Sequence, residues 1–321
     1  MMDFYGGVSS LKSSERSRRV GITINDKVSS VGRREKITAG LDLARLSGLE
    51  IGPLTSPVVR KSDGDITYID HVGTEALRTK YSGDIHVDPS LIVDVDVIWE
   101  GRDLPTQIKG GAGFDYIIAC HVIEHVPDLV HWLSQLRSAL KPEGVLRLVV
   151  PDRRFTFDRL RRETQLSDVI DAWLRCAARP SPLAVLDHGL NYREIDAAVV
   201  WRNGLDRDEL NPMLVRPEIV QMAREVLEQG TYRDVHCWVF TPQSLGELFT
   251  QLCELRLLGF ACEKFEDTEY GELEFMLTMR PSNDQARTKA SWRQVAATAF
   301  EASLPANDDG TKTRREFTSG A

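Results

Sequence analysis

Three residues at the ends of two apolar runs are best placed to bind a cofactor. The first run ends with an acid and a glycine, and a second acid follows twenty residues after the first. The first run reads Leu49-Glu50-Ile51-Gly52-Pro53, and Asp70 ends the run 66–70. In an open parallel sheet, ligands bind outside the carboxyl ends of the strands. There a glycine lets the backbone approach the ligand closely, and an acid accepts hydrogen bonds from ribose hydroxyls. This spacing predicts a nucleoside-binding crevice that includes Glu50, Gly52 and Asp70.

The loop after Gly52 indicates which cofactor suits the crevice. A dinucleotide fingerprint, G-x-G-x-x-G, lets amides at a helix N-terminus hold a pyrophosphate. Two of those three glycines are absent here, and Pro53 and Pro57 remove two amide donors. A cofactor with ribose and adenine but no phosphate fits better, which predicts S-adenosylmethionine.

A second group of candidate ligands lies in His121-Val122-Ile123-Glu124-His125. These residues match H-x-x-E-H, the zinc motif of inverted metalloproteases, in which two histidines share one helix face and the glutamate acts as base. Here the motif begins at the end of a buried apolar run, and Pro127 leaves barely one helical turn. We therefore favour a loop of the nucleotide-binding sheet and assign no metal. About one equivalent of zinc in the purified protein would overturn this interpretation.

Three residues beyond position 150 are candidates for acid–base chemistry. Asp152 follows an apolar run and is therefore expected at the carboxyl edge of the sheet, where sites form. His188 or His236 could remove a proton from a substrate hydroxyl. For each histidine we favour the alternative of a structural residue held by hydrogen bonds.

Arg154 belongs to a basic cluster between residues 153 and 162. Guanidinium groups match phosphate oxygens, so the cluster could hold a phosphorylated substrate or touch RNA. An alternative of equal weight is a solvated helix face paired with Asp158 and Glu163. The same region contains aromatic residues that could form a wall against a sugar or another ring: Trp173, Tyr192, Trp201 and Trp238.

A parallel sheet must position these residues. Apolar runs at 49–51, 66–70, 94–99, 114–120 and 145–151 alternate with helical segments, among them Arg34 to Leu46 and an amphipathic stretch from Leu129 that Pro142 and Gly144 end. This alternation predicts an α/β, Rossmann-like doubly wound sheet. A helix from about Pro242 to Leu258 and two closely linked, antiparallel runs at 260–265 and 273–279 complete seven strands. The last strand is antiparallel, and a mostly helical insertion follows strand five.

The pattern divides the chain into five parts. These are a loose N-terminal arm (1–33), an S-adenosylmethionine-binding core (34–151), an inserted substrate-binding cap (152–240), a helix and two strands that complete the core (241–280), and a polar C-terminal tail (281–321) that we expect to be disordered beyond about Ser303.

The composition is that of a globular protein with a sizeable core. Of the 321 residues, 42% are hydrophobic and 27% are charged, the formal net charge is −8, and the five cysteines form no C-x-x-C pair. No apolar run approaches the roughly 18 residues that cross a bilayer, and no secretory signal is apparent. We expect a cytoplasmic protein with reduced thiols and no membrane span. The acidic balance disfavours nucleic acid as a partner. Nothing in the pattern indicates the oligomeric state.

Four ordered motifs resemble those of class I S-adenosylmethionine-dependent methyltransferases: LEIGP, YID, FDYIIACHVIEHVPD and LKPEGVLRLVVPD. The resemblance covers residues 47–151, and residues 241–280 fit that family's antiparallel final strand. It implies that Glu50 and Gly52 flank the methionine part of the cofactor. It also implies that Asp70, with His71 beside it, holds the ribose.

The same resemblance implies further cofactor contacts. Cys120 and His121 are expected to line the methionine side, and an acid after strand three, Asp96 or Glu100, is expected to meet the adenine amine. The sequence departs from the family at Leu54, which replaces the usual second glycine of the first motif, so this loop must be shaped differently.

We therefore expect a methyltransferase that O-methylates a sugar, glycan or related small molecule by direct SN2 transfer and releases S-adenosylhomocysteine. The stretches VPDRRFTFD and HCWVFTP resemble those of bacterial methyltransferases associated with surface polysaccharides. The alternatives are a methyltransferase of secondary metabolism and a cofactor-binding module that no longer transfers methyl groups.

Overall fold

Seven strands form one sheet in the computed structural model, which describes residues 32–303 apart from 86, 100, 102–103, 105–107, 109–112 and 204–215. The strands are β1 (Ser47–Ile51), β2 (Asp65–Asp70), β3 (Val97–Ile98), β4 (Phe114–Cys120), β5 (Leu140–Pro151), β6 (Phe260–Glu266) and β7 (Glu274–Pro281). Their order in the sheet is β3-β2-β1-β4-β5-β7-β6.

The first five strands are parallel, whereas β7 runs antiparallel to both β5 and β6. Alternate residues of β4 point to opposite faces, and both faces are covered. Ile117 belongs to one apolar cluster, while Tyr116 and Ile118 belong to another. Burial on both sides explains why the strands are almost continuously apolar in sequence. The predicted Rossmann-like, doubly wound, seven-stranded sheet with an antiparallel last strand is confirmed.

Helices accompany this sheet. They are α1 (Arg33–Ile37), α2 (Thr74–Lys80), α3 (Leu129–Ala139), α4 (Leu166–Leu174), α5 (Pro182–Asn191), α6 (Ala197–Asn203), α7 (Pro217–Gln229), α8 (Pro242–Glu254) and α9 (Gln285–Ser303). Short 3₁₀ segments lie at Pro89–Leu91 and Arg153–Phe155. No helix among the described residues is long and apolar enough to cross a membrane.

Two predicted helix ends are wrong. α1 ends at Ile37 rather than near Leu46, and Gly40, three residues beyond that end, has a left-handed φ of +76°. α3 ends at Ala139, before Pro142 and Gly144. It ends there because Leu140 is already extended and pairs with Phe114 as the first residue of β5.

The segment predicted only as a polar tail contains helix α9. Its Trp292 is fully buried and donates a hydrogen bond from the indole nitrogen to the carbonyl oxygen of Phe260 (2.8 Å). α9 packs closely against α8 at Gly246, where a side chain would not fit. A Cβ on this residue would lie only 2.7 Å from the backbone nitrogen of Ala296. Trp292, Val295 and Ala299 are buried at helical spacing, and this pattern could have indicated the helix from the sequence.

Two connections shape the edge of the sheet where the strands β1, β2 and β4 end. Residues 52–64, between β1 and β2, contain only turns and no helix. Residues 152–240, between β5 and α8, hold α4 to α7, and an isolated β-bridge pairs Asp152 with Phe240 at the two ends of this segment. Both connections place loops beside the carboxyl ends of the strands.

Candidate functional site

The order of the strands in the sheet reverses between the parallel neighbours β1 and β4. β2 and β3 follow on one side of this point, and β5 follows on the other. Loops leaving a sheet at such a point separate, and a ligand can enter between them. Gly52 follows β1 with a left-handed φ of +64°, and a Cβ there would lie 3.4 Å from the Val122 side chain in the loop after β4. The structure therefore places Gly52 at the mouth of the crevice.

Leu54 keeps a backbone conformation that usually requires glycine. Its φ is +47°, in the left-handed region that costs an L-residue about 1–2 kcal/mol. Its carbonyl oxygen accepts a hydrogen bond from the backbone of Val93 (2.9 Å), which helps to hold the loop. Leu54, which stands where the first motif usually has its second glycine, therefore has a left-handed backbone.

Glu50 shapes the same loop from inside. It is 3% exposed, and its two carboxylate oxygens accept hydrogen bonds from the backbone N–H groups of Val58 (2.7 Å) and Val59 (3.0 Å). Burial raises the pKa of this carboxyl, and the two N–H groups oppose that effect in part. Glu50 thus organises residues 52–59. Its direct contact with a cofactor stays a prediction.

Asp70 and His71 form a polar pair at the carboxyl end of β2. Asp70 is 9% exposed, and its Oδ1 lies 2.7 Å from the His71 backbone nitrogen and 2.6 Å from His71 Nδ1. The His71 ring is half exposed and stacks on Tyr232, with ring centroids 6.3 Å apart. An acid in this place can accept hydrogen bonds from a ribose, as the spacing from Glu50 predicts.

Asp96 does not join this pair. It precedes β3, where its Oδ2 accepts hydrogen bonds from the Tyr68 backbone (2.7 Å) and from Lys61 Nζ (2.6 Å). These three residues line a groove of about 890 Å³ beside residues 55–62, and neither Gly52 nor Asp70 lines it. The other candidate for the adenine contact, Glu100, lies outside the described residues.

On the other side of the crevice, β4 ends at Cys120, and His121 follows with a φ of +53°. His121 Nε2 lies 2.6 Å from a Glu274 oxygen, and the other Glu274 oxygen accepts a hydrogen bond from Arg33 (2.6 Å). Burial raises the pKa of Cys120 to about 12. Its side chain is therefore a neutral thiol near pH 7 and unsuited to act as a nucleophile.

The two histidines of the H-x-x-E-H motif turn to different partners. His121 faces Glu274, whereas His125 Nδ1 lies 2.9 Å from Asp234. The metalloprotease arrangement, with both histidines on one helix face, is therefore not formed. The His125 ring instead meets the His236 ring edge-on, with centroids 4.6 Å apart.

Asp234 links His125 to helix α2, because it also accepts a hydrogen bond from Lys80 Nζ (2.8 Å). Burial lowers the pKa of His125, but its hydrogen bond to Asp234 and the negative charge there outweigh this effect and raise it. Burial raises the pKa of Asp234, but His125 and Lys80 lower it well below its ordinary value. Asp234 is therefore a carboxylate at neutral pH.

His236 forms a tight pair with Asp158. Its Nδ1 lies 2.5 Å from Asp158 Oδ2, while the other Asp158 oxygen accepts a hydrogen bond from Arg161 (2.8 Å). Arg161 is 2% exposed and also donates to the His236 carbonyl oxygen (2.9 Å) and to Asp187 (2.7 Å). Burial raises the pKa of Asp158, but the charges and hydrogen bonds of His236 and Arg161 lower it well below its ordinary value.

His188 lies beside His236, with ring centroids 5.6 Å apart. It is 7% exposed, and its Nδ1 accepts a long hydrogen bond from the His236 backbone nitrogen (3.4 Å). Burial, with the neighbouring charges of His236 and Arg161, lowers the pKa of His188 well below its ordinary value. His188 therefore stays neutral, whereas His236 has the carboxylate-held geometry of a general base.

Asp152 and Arg154 are bound to each other, and their roles in catalysis and substrate binding stay predictions. Asp152 is fully buried, and Arg154 donates to both of its oxygens, to Oδ1 at 3.0 Å and to Oδ2 at 2.6 Å. Thr268 donates a further hydrogen bond to Asp152 (2.8 Å). The carboxylate is thus held in an ion pair, and Arg154 is only partly exposed.

The rest of the basic cluster and the aromatic residues are also dispersed. Residues 153–162 form a 3₁₀ turn and loop rather than a helix face, and Arg162 pairs with Asp168 (2.9 Å). Trp238 is buried in the core, and Trp201 stacks on Phe155 (4.0 Å between centroids). Tyr192 stacks on Phe157 (4.8 Å between centroids), which in turn contacts the His236 ring (4.8 Å). The four aromatic residues therefore do not form one wall, and Tyr192 is the one that lies beside the histidines.

A family model described as a methyltransferase domain matches residues 74–252. The chain belongs to this methyltransferase family. The predicted class I methyltransferase is confirmed, and S-adenosylmethionine is its cofactor. The crevice fits this ligand, since Gly52 carries no side chain at the end of β1 and Asp70 lies at the end of β2. The turns of residues 52–64 offer no helix N-terminus for a pyrophosphate.

Comparison with curated proteins finds no match. Among solved structures, the DhpI–SAH complex is 19% identical, with 78% of this chain and 82% of that chain covered and a TM-score of 0.37. An S-adenosylmethionine-dependent methyltransferase from Mesorhizobium loti is 14% identical (78% and 98% covered, TM-score 0.36). The mitomycin 7-O-methyltransferase MmcR is 12% identical (78% and 53% covered, TM-score 0.36). These TM-scores are below 0.5, and no function is transferred from these structures.

The carboxyl of Glu274 is expected to make the free energy of unfolding depend on pH in the acid range. Burial raises the pKa of its carboxyl, but His121 and Arg33 outweigh burial and lower it to about 2, from 4.5. A carboxyl whose pKa falls on folding stabilises the protein above its unfolded pKa, and this contribution is lost as the pH falls through the folded pKa.

We therefore expect Glu274→Gln to be less stable than wild type at pH 7, by about 1–3 kcal/mol, because a buried charge-assisted network is lost. The difference should shrink between pH 4.5 and 2, measured by urea unfolding at several pH values. Glu272→Gln, the same change at an exposed neighbour, is the control and should change little. Parallel pH profiles of wild type and Glu274→Gln would contradict this assignment.

Proposed function

We propose that this methyltransferase methylates an oxygen atom of a small molecule, with a sugar or glycan hydroxyl as the first class of acceptor. The observation that carries the proposal is the Asp158–His236 pair. It comes from the residues inserted after β5, and it contacts His125 in the loop that leaves the carboxyl end of β4. A buried imidazole held by a carboxylate at Nδ1 is suited to accept a proton at Nε2.

The contacts around the crevice connect the two parts of this proposed site. On the cofactor side, His71 stacks on Tyr232, and Lys80 of α2 binds Asp234. On the acceptor side, Asp234 binds His125, whose ring meets His236. The inserted residues thus reach over the ends of β2 and β4. This supports the assignment of 152–240 as a substrate-binding cap.

In the proposed reaction the chain mainly positions the reactants. S-adenosylmethionine supplies a sulfonium methyl group that is already activated for transfer. Asp70 and Gly52 would hold the ribose and the methionine part, and the cap would hold the acceptor oxygen in line with the methyl carbon and the sulfur. Alignment of this kind corresponds to an effective molarity of roughly 10⁵ M or more.

His236 would take the proton of the acceptor hydroxyl as the new C–O bond forms and the C–S bond breaks. Asp158 keeps the ring in the right tautomer and stabilises the imidazolium that results. General-base assistance of this type contributes about 10²–10⁴-fold when the nucleophile is a hydroxyl. His125 is less suited, because Lys80 shares its carboxylate partner and weakens the support for a positive imidazole.

The class of acceptor is argued from the surroundings of His236. Phe157 and Tyr192 stack on each other beside it and offer aromatic surface to a ring-shaped acceptor. A phosphorylated acceptor is disfavoured, because Arg154 and Arg161 are committed to carboxylates of this chain. The alternative of a module that binds the cofactor without catalysis rests on Leu54 and on the unproven base, and the acceptor-side experiment below tests it.

Asp70→Asn tests the cofactor side. The amide keeps the size of the side chain but loses a charged acceptor, and hydrogen bonds to charged groups contribute about 1.5–3 kcal/mol. We expect S-adenosylhomocysteine to bind about 10–100-fold more weakly, measured by isothermal titration calorimetry. Asp94→Asn is the matched control, since its side chain is 90% exposed, and it should bind as wild type does. Equal affinity in Asp70→Asn would remove Asp70 from the site.

His236→Gln tests the acceptor side. We expect unchanged affinity for S-adenosylhomocysteine and about 10²–10⁴-fold slower transfer of labelled methyl to the best acceptor in a panel of sugars, glycans and hydroxylated small molecules. His131→Gln on helix α3 is the control and should transfer at the wild-type rate. Unchanged turnover in His236→Gln would exclude the base. Normal cofactor binding without transfer to any acceptor would favour the non-catalytic module.

A further inference from the structure

The Glu124 side chain is buried without a hydrogen bond to either oxygen. The residue is 1% exposed, and within the part of the chain that the structure describes neither Oε1 nor Oε2 has a hydrogen-bond partner. The nearest cationic group in an ion pair with it is His121 Nδ1, at 3.7 Å from Oε1. A buried carboxylate is costly unless something compensates it. The methyl-transfer reaction proposed above gives Glu124 no role.

Two histidines lie beside this carboxylate. One ligand atom from each of Glu124, His125 and His236 can be chosen so that all three lie within 4.8 Å of one another. Ligands of a tetrahedral zinc ion at about 2.0–2.2 Å lie about 3.3 Å apart, so the group would have to contract by roughly 1.5 Å at most. The three side chains would therefore have to move toward one another when the ion binds.

Each histidine has a carboxylate at its Nδ1 atom, as metal-binding histidines commonly do. His125 Nδ1 is bonded to Asp234 and His236 Nδ1 to Asp158. A carboxylate on Nδ1 fixes the ring orientation and the tautomer, and it makes Nε2 the more basic coordinating atom. The same arrangement occurs twice, on two histidines whose rings are in contact.

The charge around the three residues also suits a divalent cation. Among the described residues, Asp234 is paired with Lys80 and Asp158 with Arg161, whereas no lysine or arginine is hydrogen-bonded to Glu124. A cation bound between the three ligands would compensate the Glu124 carboxylate.

We propose that Glu124, His125 and His236 bind a divalent transition-metal ion, with Zn²⁺ as the first choice. Two imidazoles and one carboxylate form a ligand set that zinc and other borderline metals accept, and a three-ligand site leaves a position for a water or an acceptor oxygen. This differs from the H-x-x-E-H arrangement, because the second histidine is His236 from the inserted region rather than His121.

The metal site stands independently of the proposed acceptor. If the site holds a metal ion during methyl transfer, His236 is a ligand and not the base. An acceptor hydroxyl bound at the open position would then have its pKa lowered by the cation, and it would lose its proton to water. Metal binding can be measured without any cofactor or acceptor. Its failure is therefore distinguishable from the failure of the proposed methyl transfer.

The test is metal titration of the full chain after treatment with a chelator. We expect Zn²⁺ to bind at one equivalent, by calorimetry and by metal analysis after desalting. We also expect Co²⁺ to give the visible absorption of a four- or five-coordinate site. Glu124→Gln and His236→Gln should each abolish the Co²⁺ spectrum, and Asp234→Asn, which touches only a ligand, should weaken binding about 10–100-fold. His131→Gln is the control and should titrate as wild type does.

Circular dichroism and the melting temperature show which variants are folded, and Asp234→Asn serves as an independent test if Glu124→Gln does not fold. Two outcomes overturn the proposal. One is the absence of bound metal in wild type at a tenfold excess of Zn²⁺ and of Co²⁺. The other is unchanged titration in the folded variants of the three residues and of Asp234, which would place the metal elsewhere on the chain.

Discussion

The site depends on the point where the sheet reverses its order, between β1 and β4. Two neighbouring parallel strands end there, and their loops must leave in different directions without covering the gap. The backbone meets this constraint with left-handed residues at Gly52, Leu54 and His121. Two of the three are not glycine, so the chain accepts local strain where the ligand is expected to bind, as functional sites often do.

Buried carboxylates hold that strained edge in place. Glu50 binds the loop after β1, Glu274 binds His121 after β4, and Asp234 joins α2 to His125. Such networks cost desolvation, and they contribute little net stability compared with apolar packing. Their value here is geometric, because each one fixes a loop beside the carboxyl ends of the strands. The inserted residues contain a similar network, in which Asp158 binds both Arg161 and His236.

The fold could be predicted largely from the sequence because its signals are local. Apolar runs separated by helical periods specify a parallel sheet, and the spacing from Glu50 to Asp70 specifies where two of its strands end. The site was only partly predictable, because its partners are distant in the chain. Nothing local shows that His125 meets His236, or that Asp234 binds His125, more than a hundred residues away.

The sequence also did not indicate several side-chain pairings. Asp152 follows a strand as a catalytic acid would, but Arg154 two residues later donates to both of its oxygens. Asp96 is an acid beside β3, and it accepts a hydrogen bond from the backbone of Tyr68. The polarity of residues 281–321 concealed helix α9, because its large buried side chain, Trp292, carries little weight in an average over a polar segment.

The central claim is that the edge between β1 and β4 binds an adenosyl ligand without phosphates. Its most direct test is thermal unfolding with S-adenosylhomocysteine and, separately, with NAD. At about 100 times its dissociation constant, a ligand stabilises the folded state by about 2.7 kcal/mol, or roughly 4 °C for a protein of this size. The account predicts that shift with S-adenosylhomocysteine and none with NAD. A shift with NAD alone, or with neither ligand, would contradict it.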